Sequence, residues 1–136
     1  MKNARRIFFH ILVLTALIAV SSCTSCPFAG KQAGQVDHCV FVWLRKPGNA
    51  ADRAKLAEAA RMFAREIPEV KKLAVGQMLP SQRPIVDSTF DVGFVIRFAD
   101  KAAMDRYEQH PAHQKVVKEL LQPMARKIQV YDLVVE

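Results

Sequence analysis

Apolar and polar positions along the chain fall into runs with two periods. Residues 38–44 are Cys, Val, Phe, Val, Trp and Leu after a leading His, apolar on both alternating sets, which predicts a strand buried on both faces. Lys46-Pro47-Gly48-Asn49 marks a turn. From Ala50 the period becomes helical: Leu56, Ala60, Phe63 and Ile67 recur at four, three and four, with Lys55, Glu58, Arg61 and Arg65 opposite, until Pro68 stops the run. Residues 70–79 predict a second strand, with Gly76 a bulge or a point of close approach. A polar loop with two prolines covers 80–88. Residues 90–98 then set Phe90, Val92, Phe94, Ile96 and Phe98 on one face against Asp91, Gly93, Val95 and Arg97 on the other. Asp100 is a cap for a helix over 101–109, and Pro111 opens a second piece reaching about Met124, where Pro123 breaks it. Residues 127–135 close the chain as a strand.

Strand, helix, strand, strand, helix, strand is the order of an α+β, ferredoxin-like β-α-β-β-α-β sandwich with both helices on one face of the sheet. The strands look apolar on both faces, so the uncovered face calls for a second copy packed sheet to sheet. A homodimer forming an α/β barrel is expected, with an inter-sheet cavity as the natural ligand site.

The first 35 residues follow other rules. Lys2, Arg5 and Arg6 precede an apolar run over 7–20, the layout of a secretory signal too short to span a bilayer comfortably. The run closes on Val20-Ser21-Ser22-Cys23, which resembles the lipobox of bacterial lipoproteins. That resemblance implies cleavage before Cys23, a diacylglycerol thioether on it and acylation of the new N-terminus, enough chains for a lasting membrane anchor. An ordinary secretory signal ending near a cysteine is the alternative. Thr24 stands where inner-membrane lipoproteins carry Asp, which favours the outer membrane, facing the periplasm. The expected organisation is a signal peptide over 1–22, a flexible tether over 23–35 reaching ~40 Å when extended, and a folded domain over 36–136.

The whole chain carries +7, and losing three basic residues with the signal leaves 17 basic against 13 acidic residues. The excess is scattered and excludes a nucleic-acid stripe. Cys26 lies in the tether and Cys39 in an apolar strand, so a disulfide framework is not expected. Cys39 reads as a small core residue, with nothing nearby in sequence to lower its pKa.

Chemistry concentrates in Tyr107-Glu108-Gln109-His110-Pro111-Ala112-His113. Pro111 disfavours helical angles at His110, which ends one helix and caps the next, leaving His113 in a first helical turn whose dipole disfavours imidazolium. A neutral His113 is a candidate base, reading equally as a buried structural histidine, and Tyr107 is a candidate acid that at helical spacing from Ala103 and Met104 reads more often as core. His38 is either a pocket residue or a partner for Asp37 or Asp132, and Arg97 and Asp91 either bind a ligand or face water. His38, His110 and His113 lack a carboxylate or thiolate at ligand spacing, so no metal and no cofactor is expected.

The strand opening with His38, the Phe-rich strand, Tyr107-x-x-His110-Pro111-x-His113 and the closing Val130-Tyr131-Asp132 resemble the stress-responsive dimeric α/β-barrel family over roughly 36–135. The resemblance implies a ferredoxin-like protomer in a homodimeric barrel and leaves the substrate open. One plant member, a polyketide cyclase, uses a tyrosine and a histidine that fall on Tyr107 and His113, and its first-strand pocket histidine matches His38. Its third-strand pocket histidine falls on Val92 here. The expected protein is a lipid-anchored cell-envelope dimer binding a small hydrophobic or carbonyl-containing molecule through His38, His110 and Arg97. The alternatives are a cyclase or lyase-like enzyme using His113 and Tyr107, or a purely structural stress protein.

Overall fold

The structure is a computed structural model describing residues 33–136. The expected signal peptide, the lipidation of Cys23 and most of the tether lie outside the described residues. Four strands, β1 (Val36–Leu44), β2 (Lys72–Gly76), β3 (Val92–Phe98) and β4 (Ala125–Val134), form one antiparallel sheet in the order β2-β3-β1-β4. Helix α1 (Ala50–Glu66) follows β1, and α2 (Lys101–Gln109) and α3 (Pro111–Val116) follow β3. The ferredoxin-like order expected from the sequence is the one observed.

Alternation fixes which residues meet the helices. Val36, His38, Val40, Val42 and Leu44 of β1 are buried, as are Val92, Phe94, Ile96 and Phe98 of β3. They pack against Leu56, Ala60, Phe63 and Ile67, the helical stripe of α1 and its end, and against Ala103, Met104 and Tyr107 of α2. Asn49 starts α1 by accepting from the Asp52 amide, and Asp100 starts α2 by accepting from that of Ala103.

Three boundaries differ from expectation. β2 is five residues long because its pairing with β3 ends at Gly76↔Gly93, leaving 77–91 as a connection without a strand partner. Phe90 leaves the buried stripe: its ring packs 5.0 Å from Phe41 and 6.3 Å from Trp43, both on the other face of the sheet. Between α3 and β4 the helix widens into a π turn (Val117–Leu121), where the Gln122 amide donates to the Val117 carbonyl five residues back. Pro123 then sits inside a last short turn, α4 (Gln122–Met124), and the chain becomes extended at Ala125. A wide turn immediately before proline relieves the crowding its ring imposes in a regular helix.

The sheet face away from the helices is mixed, not apolar throughout as expected. Phe41, Trp43, Phe90 and Tyr131 gather toward the Leu44 end of β1. Toward the Val36 end, Arg97 donates twice to Asp37 at 2.6 Å, which holds the Asp37 carboxyl below its usual range. Asp91 also serves the fold, accepting from the backbone amides of Leu44 at 2.8 Å and of Gly48 at 2.6 Å. Gly48 turns the chain there with a left-handed φ of 74°, which glycine adopts without steric cost.

Candidate functional site

The break in the second helical region builds the site. His110 is extended (φ −66°, ψ 132°), as a residue before proline prefers, and its Nδ1 accepts from the Ala112 amide at 3.2 Å. The chain therefore turns, and α3 folds His113 back over the end of α2. There the Glu108 carbonyl, one of the last of its helix, accepts from His113 Nδ1–H at 3.1 Å. That bond leaves Nε2 as the free ring nitrogen. The His113 ring lies 4.4 Å from that of Tyr107 and 5.6 Å from that of Phe63.

Tyr107 is 2% exposed, 4.9 Å from the Phe98 ring and 6.2 Å from that of His38. Burial, with the Glu108 carboxylate adding to it, pushes the phenol well above its ordinary range, so it stays protonated and able to donate. His113 moves the other way. Burial is the largest cause of its lowered pKa, opposed in part by the Glu108 carbonyl. The helix dipole invoked from the sequence is not needed. His38 is 7% exposed and its Nδ1 lies 2.7 Å from Asp132 Oδ1. β1 and β4 register these residues directly opposite each other, so one strand supplies the imidazole and the next the carboxylate that orients it.

These three side chains line a cavity of about 420 Å³ between the sheet and the helices of one protomer. Its other walls are almost wholly apolar, with Val40, Leu56 and Phe94 on one side and the π-turn residues Val117 and Leu121 on another. Ile128 and Val130 of β4 line it and remain 36% and 39% exposed, leaving the cavity open along that strand. The site is thus inside the protomer. His38 meets the helices and not the space between two sheets, because it shares the helix-facing row of β1 with Val40 and Val42.

Two expected ligand-binding residues fall outside the lining. His110 is spent on capping α3, and Arg97 belongs to the opposite sheet face, held by Asp37. Cys39 lies on that face as well, and burial raises its thiol pKa, followed by the carboxylates of Asp37 and Asp132. Among the described residues no group of three or more His, Cys, Asp or Glu side chains assembles to hold a metal ion. Sequence reasoning missed the Glu108 carbonyl and the π turn. Neither carries a compositional signal, because the first is backbone and the second a hydrogen-bonding register.

His113 gives a direct measurement. Its ring should titrate by NMR with a midpoint below the 6.5 of an unperturbed histidine, and a midpoint at or above that value would contradict the burial described. The folded ring takes its proton at lower pH than the unfolded one. Its contribution to stability is therefore present at neutral pH and declines as pH falls from about 6.5 through the folded midpoint.

Comparison with known proteins places the same fold elsewhere. The family described as Stress responsive A/B Barrel Domain matches residues 36–135. A family protein of that kind with a ferredoxin-like fold from Mesorhizobium loti is 25% identical, covering 76% of this chain and 98% of its own, with a TM-score of 0.63. A dimeric ferredoxin-like protein of unknown function from Jannaschia sp. CCS1 is 26% identical over 75% and 100%, with a TM-score of 0.62. A hydroxynitrile lyase from Passiflora edulis is 18% identical over 76% and 93%, with a TM-score of 0.67, a likeness of fold. No curated protein matches the chain.

Proposed function

The chain belongs to the stress-responsive A/B barrel domain family, and from that membership we propose that it binds a small hydrophobic or carbonyl-containing molecule in the cavity beneath its helices. One observation carries this reading: an apolar cavity of about 420 Å³ whose few polar groups, His38, Tyr107 and His113, converge on one end. The volume and chemistry are those of a small-molecule site. 2-Decanone is a suitable probe. Val130→Trp, at a half-exposed wall position, should fill the cavity, and calorimetry should show binding of 2-decanone lost while the thermal midpoint is kept. Undiminished binding to that variant would place the ligand elsewhere.

A second reading, an enzyme that removes a proton beside a carbonyl, is favoured by the pairing of a base with a donor. His113 Nε2 takes the proton and the C–H electron pair becomes the enolate. Tyr107 O–H steadies the enolate oxygen, and His38, held by Asp132, adds a second oriented ring nitrogen. The raised phenol pKa makes Tyr107 a hydrogen-bond donor more than a proton donor.

Dimeric relatives of the same fold and the aromatic cluster on the sheet's outer face support a homodimer. The Cys23 motif supports a lipid-anchored protein of the bacterial cell envelope, at the outer membrane. Metabolic labelling with a palmitate analogue should mark the wild-type protein and spare Cys23→Ser. Equal labelling of both would remove the anchor.

A further inference from the structure

Resting on the reading of the cavity as a ligand site, we infer that it selects uncharged head groups, an aldehyde or ketone on an apolar chain, and rejects carboxylates of the same length. The lining contains no lysine or arginine. Its one acidic member is Glu108, and a second carboxylate, Asp132, stands 2.7 Å behind the His38 ring. Nearby cations are committed or outside: Arg97 is locked to Asp37 on the opposite sheet face, while Lys115 and Lys118 are exposed and not part of the lining. His113 offers no standing counterion either, since burial favours its neutral form.

A carboxylate entering this space would give up its water beside the Glu108 carboxylate, with no lysine or arginine in the lining to replace it. Burying an unpaired charge is among the costliest steps available to a ligand. A ketone or aldehyde oxygen needs only a donor, which Tyr107 supplies. The same walls accept an anion made inside them. When His113 Nε2 takes a proton from carbon, imidazolium and enolate arise together, so the pair is neutral overall and each charge has its partner at hand. The cavity thus discriminates between a charge brought in and a charge generated in place.

The test uses the full chain near neutral pH, with 2-decanone and decanoate as probes of equal carbon number, titrated by calorimetry. The ketone should bind at least about tenfold more tightly. Val130→Lys, which sets an ammonium at the half-exposed wall, should shift the preference toward decanoate. Decanoate binding as tightly as the ketone to the wild type would overturn the head-group rule and leave the cavity reading standing. If neither probe binds, the cavity reading fails and this inference fails with it.

Discussion

Phe98→Ala is expected to cost about 3–5 kcal/mol in chemical denaturation, a large share of the ~5–15 kcal/mol that holds a domain of this size together. Phe98 is 0% exposed at the end of β3, and its ring lies 4.9 Å from Tyr107 and 6.4 Å from His38. Truncation opens a void that the flanking strand and α2 cannot close without moving Tyr107, so loss of stability and loss of ligand binding should appear together. A cost below about 1 kcal/mol, which is what a half-exposed aromatic would show, would mean that the packing behind Tyr107 and His38 is not part of the core.

His113→Ala is expected to produce the larger functional effect. If the protein is an enzyme of the kind proposed, the wild type should exchange the α-protons of 2-decanone for deuterium in D2O, followed by NMR. Removing the base should slow that exchange by about 10²–10⁴-fold, with ketone affinity changed little. Tyr107→Phe should lose about 10²–10³-fold by withdrawing the donor from the enolate oxygen. Because the neutral ring is the reactive form and its pKa is lowered, the acidic limb of the exchange profile should lie below pH 6.5. Exchange by His113→Ala at the wild-type rate would refute the base. An inactive wild type that still binds the ketone would leave a binding protein.

Much of this arrangement is legible in the chain before any coordinates. The element order follows from period and punctuation, and Pro111 alone foretells that His110 leaves the helix and caps the next one. The grouping of Tyr107 with His113 follows from their motif. What the chain hides is handedness of faces and long-range partners. The valines on one alternating set of β1 and the cysteine and aromatics on the other look equally apolar in sequence. Only the sheet order, with β1 central, shows that the row containing His38 meets the helices and the row containing Cys39 does not. That ambiguity leaves open, in sequence, which side of the sheet His38 faces. Asp132 stands beside Asp37 as a candidate partner of His38 in sequence, but the choice between them depends on the β1–β4 register across 94 positions, which no local pattern announces. Arg97 read as a ligand candidate because its partner, Asp37, lies 60 positions away.

Residues at the two ends of the described chain are bonded to each other: the Gly34 amide donates to the Val135 carbonyl, and the Val135 amide to that of Gln35, both at 2.8 Å. The connection over 77–91 joins β2 to β3 at the opposite edge of the sheet's length, where Gly76 pairs with Gly93. The path is nearly a closed ring. A short linker joining the ends, with a new opening cut in the proline-containing connection, would reorder the elements in sequence while leaving each in its place.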